Sequence, residues 1–107
     1  MKSIYLVLIA ICLFSCKKSD PSATSIPCDP AISYLNKVKP VFVSSCTSSG
    51  CHDGINYPSL ADYIVARDAA QQIKSAVSRG IMPLNSTLSA ADKAAIICWI
   101  DNGTQNN

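Results

Sequence analysis

The stretch KPVFVSSCTSSGCHDG, residues 39–54, decides how the rest of the chain is read. Proline is tolerated in the first turn of a helix and disfavoured further in, so Pro40 predicts a helix that starts there and runs through Val41, Phe42 and Val43 to Cys46. Thr47-Ser48-Ser49-Gly50 is loop by composition, and Asp53-Gly54 marks a second turn. Two thiols, Cys46 and Cys51, and the imidazole of His52 are thereby set on a helix end and the tight loop behind it. What such a trio does depends on the compartment, because an oxidising environment pairs thiols that a reducing one leaves free for metals.

The N-terminus speaks to the compartment. Met1-Lys2-Ser3 is a short positive lead, Ile4 to Phe14 is an unbroken apolar run, and the small residue Ser15 precedes Cys16. Eleven apolar residues rise only about 16 Å as a helix, against a hydrocarbon core of roughly 30 Å, so the run reads as an export signal and not as a membrane span. Leu13-Phe14-Ser15-Cys16 resembles the lipobox of bacterial lipoproteins, which implies cleavage before Cys16 and acylation of its thiol. The following segment, Lys17 to Pro27, is rich in Lys, Ser, Pro and Thr and reads as a flexible tether. Ordinary cleavage with Cys16 left as a free or paired thiol is the competing reading. The expected organisation is a signal peptide over 1–15, a tether over 16–27 from lipidated Cys16, and one domain over 28–107. A Lys at position 17, where an acidic residue is absent, fits passage to the outer membrane rather than retention at the inner one, with the domain facing the periplasm.

The chain has 107 residues, a formal charge of +2 and nine Lys and Arg in all. The basic residues are scattered, whereas phosphate-backbone binding needs several on one face, so nucleic acid is not an expected partner. A domain this small buries too little apolar surface to be comfortably stable by packing alone, and staples are expected. Beyond the tether, Cys28, Cys46, Cys51 and Cys98 can supply them.

The domain reads as all-α. Cys28 to Lys39 shows no clean period and is expected to be extended or a short turn. Ser59 to Arg67 is a weak helix candidate. Asp68 to Arg79 is better, with Ala69, Ala70, Ile73, Ala76 and Val77 along one stripe and Gly80 placed to end it through a left-handed residue. Ser89 followed three residues later by Asp92 is an N-cap signature for a last helix over Ala90 to Asp101, closed by Gly103 and apolar on most sides between Ala94 and Ile100. Tyr34 and Trp99 are expected near the functional group or under the contact between helices. Asp53, Asp62, Asp68 and Asp92 read as loop or helix-start residues, and none pairs with a second carboxylate as acid–base catalysis would require.

Two cysteines followed at once by a histidine is the arrangement that holds haem covalently, with thioethers at the two vinyl edges and the next residue turned beneath the ring to bind iron. Attachment motifs usually place two residues between the cysteines; here there are four, Thr47 to Gly50, and Gly50 gives the backbone freedom to absorb them. A zinc site formed by Cys46, Cys51, His52 and either Cys98 or Cys28 is a rival, although adjacent Cys and His donors do not easily reach one tetrahedral ion. The other rival is a module held by two disulfides, in which His52 is a plain surface residue and the protein is a non-catalytic binding or adaptor lipoprotein. The haem reading and its local two-disulfide rival share a Cys28–Cys98 bridge and differ at Cys46 and Cys51.

Beyond the attachment motif, Lys39-Pro40-Val41-Phe42, the loop Gly80-Ile81-Met82-Pro83 and the run Leu88-Ser89 to Ile96, Trp99 and Ile100 follow in order. From about residue 32 to 103 the chain resembles small monohaem c-type cytochromes of class I with a lengthened attachment motif. The resemblance implies three to four helices around one covalent haem c, attached through Cys46 and Cys51, with His52 and Met82 as axial ligands of the iron. Methionine in a small domain is more often core filler, but Met82 falls in a loop, off any helical stripe. With both axial positions filled no site remains for a substrate, so the implied role is single-electron transfer and not catalysis. The implied partners are redox proteins of the cell envelope and the membrane that holds the lipid anchor.

Overall fold

A computed structural model of the chain describes residues 27–107. The expected signal peptide and Cys16 lie outside these residues, as does the tether except for Pro27. No helix among the described residues is long and apolar enough to cross a membrane.

The described residues form an all-α domain whose helices are α1 (Lys39–Ser45), α2 (Tyr63–Asp68), α3 (Ala70–Ser78) and α4 (Ala90–Asp101). The segment ahead of Pro40 departs from the expected extended chain. Tyr34–Val38 is a π-helical turn that runs straight into α1. A proline inside a helix lacks one N–H and its ring presses on the carbonyl four residues back. Here the turn ahead of Pro40 is widened, with the amides of Val38 and Lys39 reaching back five residues to the carbonyls of Ser33 and Tyr34. Helical geometry therefore passes through Pro40 instead of starting there.

The π-helical turn is capped from the far end of the chain. Ser33 Oγ accepts from the amide of Asn36, while Asn107 accepts from the amide of Tyr34 through Oδ1 and from that of Leu35 through its carbonyl, each at 2.9 Å. Asn107 Nδ2 donates to the carbonyl of Ile32. Residues 102–107 reach this position by folding back along α4, where Trp99 Nε1 donates to the Gln105 carbonyl at 2.9 Å and Tyr63 Oη to that of Thr104 at 2.8 Å.

Two helices stand where two were expected, with the break at Ala69 instead of between Arg67 and Asp68. Asp62 caps α2 through the amides of Ile64 and Val65, so that helix starts later than Ser59, and Asp68 is its last residue. Ala69 leaves helical geometry at φ −91°, ψ 7°, and α3 restarts at Ala70. Its buried residues Ala70, Ile73 and Val77 form the expected stripe, and Gly80 follows at φ +69°, a conformation that costs a glycine little. The last helix has the expected bounds: Ser89 Oγ accepts from the Asp92 amide at 3.0 Å and donates to its carboxylate at 2.8 Å.

The core lies where the first helical segment crosses α4. Trp99, Tyr34, Phe42, Ile96 and Val38 are its largest fully buried side chains. Tyr34 and Trp99 meet with ring centroids 5.1 Å apart, Tyr34 and Tyr63 at 5.2 Å, and Phe42 and Trp99 edge-on at 6.1 Å. Tyr34 and Trp99 thus sit under the contact between helices, one of the two places expected for them. Burial raises the Tyr34 phenol above its ordinary value, and the charge of Asp62 adds to the effect. A disulfide joins Cys28 to Cys98 with the Cα atoms 5.1 Å apart, tying the first described residues to α4.

Candidate functional site

The candidate site grows from the C-terminal end of α1. Cys46 is the capping residue, its amide donating to the Phe42 carbonyl, and the amide of Thr47 donates to the same oxygen at 3.1 Å. The chain then reverses. The amide of Cys51 donates to the Ser48 carbonyl at 2.9 Å, and that of His52 to the Cys46 carbonyl at 3.0 Å. Gly50 takes φ +81° in this reversal, with nothing near the position a Cβ would occupy. The four residues between the cysteines are therefore accommodated in a closed loop that brings His52 back to the helix end.

A carboxylate holds the loop from within. Asp53 accepts from the amide of Gly50 at 3.0 Å and from that of Ile55 at 2.9 Å. The Ile55 bond and then the Gly50 bond keep its carboxyl below the usual carboxylate range. Beyond it, the amide of Gly54 donates to the Tyr57 carbonyl at 2.9 Å, and the Tyr57 ring lies against the His52 imidazole with centroids 5.6 Å apart and planes at 48°. Tyr57 was not among the expected site residues; its only sequence signal is an aromatic directly ahead of Pro58.

Cys46 and Cys51 are free thiols, the first half-buried and the second exposed. Burial pushes the Cys46 thiol up, and the nearby Cys51 pushes the same way. The other two described cysteines are bridged to each other. His52 is half-buried, and neither ring nitrogen is among buried atoms left without a hydrogen-bond partner. No group of three or more His, Cys, Asp or Glu side chains among the described residues converges on a point that could hold a metal ion. Among the described residues, Cys46, Cys51 and His52 do not converge as the donors of a tetrahedral zinc centre do. Thioether attachment makes no such demand, since the two thiols bond to separate vinyl groups.

Met82 stands apart from these three. It lies in the loop between α3 and α4, where its amide donates to the Ala76 carbonyl at 3.4 Å. With Val77, Gly80, Leu88 and Lys93 it lines a cavity of about 170 Å³ that none of Cys46, Cys51 and His52 touches. Lys93 closes one side, its ammonium donating to the Ser78 carbonyl at 3.2 Å. Large apolar side chains are left in solvent on both loops: Ile55 is 86% exposed and Tyr57 58% beside His52, while Leu84 is 64% exposed and Ile81 44% beside Met82.

Comparison with family models, with curated proteins and with solved structures finds no match to this chain.

Proposed function

We propose that the domain carries one covalently attached haem c and transfers single electrons in the cell envelope. The observation that carries this reading is the loop from Cys46 to His52: two free thiols and an adjacent imidazole, drawn together by the bond from the His52 amide to the Cys46 carbonyl. Cys28 and Cys98, paired with each other, are removed from that chemistry. A second bridge between Cys46 and Cys51 would be the mark of a purely disulfide-held adaptor, and both thiols are free.

The two free thiols and the adjacent imidazole suit the group. Cys46 and Cys51 would hold the group through thioethers, and His52 and Met82 would supply ligands to its iron. Ile55, Tyr57, Ile81 and Leu84 supply apolar cover on the two loops that present the axial residues. When bound, haem c supplies a one-electron couple, and a thioether ligand raises its potential toward the oxidising end of a chain. With His52 and Met82 both engaged, no position is open to a substrate, so the domain is a carrier and not an enzyme. The export signal and the acylation of Cys16 place it on the membrane, facing periplasmic redox partners, and the lysine after Cys16 favours the outer membrane.

The test is expression with the native leader in a host that has working haem-attachment machinery. The expected product is red, and after denaturation and reduction in pyridine it retains a haemochrome spectrum on the polypeptide. A colourless product from that host, with the signal removed, overturns the reading. Met82→Ala is expected to lose the spectral features of sulfur ligation while keeping the haem; their retention removes Met82 from the ligand set alone.

A further inference from the structure

Metal-binding imidazoles are generally oriented by a hydrogen bond from the ring nitrogen that does not face the metal, to a carbonyl or a carboxylate. The hydrogen bonds among the described residues include none from the His52 ring, and neither ring nitrogen is a buried atom left without a partner. The His52 backbone is fixed on two sides, by the bond from its amide to Cys46 and by the 3.4 Å contact from the Leu60 amide to its carbonyl, but neither sets the ring plane. The aromatic side chain beside the ring is Tyr57, tilted at 48° to it with centroids 5.6 Å apart.

Tyr57 is itself unusual in being more than half exposed while its backbone is pinned. The bond from the Gly54 amide to the Tyr57 carbonyl closes the turn, and Asp53 clamps the residues ahead of it through Gly50 and Ile55. Ordering an aromatic ring in solvent gains little from burial on one side only, so its contact with the imidazole is what the turn holds in place. We propose that Tyr57 is a positioning residue: its ring is the shelf that sets the orientation of the His52 imidazole toward the iron, in the role a hydrogen-bond acceptor usually fills. This rests on the haem reading above. The tyrosine hydroxyl takes no part, so phenylalanine serves equally.

His52 is the single histidine of the chain, so its ring-proton resonances are identified without ambiguity. The experiment compares the wild type, Tyr57→Phe and Tyr57→Leu as the full mature chain, both haem-free and haem-loaded. In the haem-free chains, Tyr57→Phe is expected to keep the ring-current shift of the His52 protons and Tyr57→Leu to lose it. In the loaded chains, Tyr57→Leu is expected to broaden and move the low-spin EPR signal and to bind added imidazole several-fold more tightly, with Tyr57→Phe matching the wild type. Equal His52 resonances in wild type and Tyr57→Leu overturn the contact. A lost ring-current shift with an unchanged EPR signal reduces Tyr57 to loop packing and overturns the positioning role. A wild type that takes up no haem overturns the functional reading and the proposal with it, an outcome separately visible in the haemochrome spectrum.

Discussion

At the scale of single residues, the loop from Cys46 to Leu60 is governed by Asp53. Two backbone amides donate to its carboxylate and hold it below the usual carboxylate range. A carboxyl group whose folded value is lowered stabilises the fold above its unfolded value, about pH 4, and loses that contribution as pH falls through the lowered value. The Gly50 and Ile55 amides are therefore expected to exchange faster with solvent at acid pH than opening elsewhere explains, and Asp53→Asn should remove the added pH dependence; amide exchange by NMR reads both. The thiols differ in a related way. Cys46 is half-buried and stays protonated to higher pH than an ordinary thiol, whereas Cys51 is exposed. Iodoacetamide is expected to modify Cys51 well before Cys46 in the folded, haem-free chain, with mass spectrometry of the peptides giving the order. Equal rates would mean that α1 frays at its end.

At the scale of elements, the helices are set by their caps. Ser89 with Asp92 starts α4, Asp62 starts α2, and Ser33 with Asn107 starts the π-helical turn. The third is of a different kind, because Asn107 lies 73 positions from the amide it caps. Asn107→Ala removes the Oδ1 acceptor of the Tyr34 amide and leaves the carbonyl bond to Leu35 in place. The expected loss is about 1 kcal/mol, the ordinary value of a cap, measured as a lowered urea midpoint with the Tyr34 amide losing protection. Surface ion pairs contribute less: Lys37 to Asp92 at 3.4 Å and Lys74 to Asp101 link helices in solvent, where such pairs contribute little.

For the molecule as a whole, stability rests on one aromatic cluster and one covalent tie. Trp99, Tyr34, Phe42 and Tyr63 join α4, the first helical segment and α2 through ring contacts. The Cys28–Cys98 disulfide spans 70 positions. In the chain-entropy account a loop of that length is worth about 4 kcal/mol, a large share of the stability of a domain this small. The Cys28→Ser, Cys98→Ser double variant is expected to unfold at a much lower denaturant concentration, with Trp99 fluorescence reporting the transition. An unchanged midpoint would mean that the aromatic cluster alone holds the two ends together.

The amino-acid sequence by itself determined the all-α class, the limits of α4, the glycine end of α3 and the position of the two thiols and His52 on a helix end and loop. These follow from contacts between residues three or four apart, which any helix makes in the same way. It also left Cys28 and Cys98 as a natural pair once Cys46 and Cys51 were set aside. Only the tertiary structure decided that the helix begins ahead of Pro40, where the widened turn that admits the proline is capped by Ser33 and by the distant Asn107. That α2 and α3 are separate was legible, but the break at Ala69 and the late start of α2 at Tyr63 were not. Tyr57 against His52 was not legible either: a turn sequence does not state which face its one aromatic presents until the Asp53 clamp and the Gly54 amide have closed it. The core aromatics lay between these cases. Their burial was expected from size, but their pairing was set by the crossing of the first helical segment with α4.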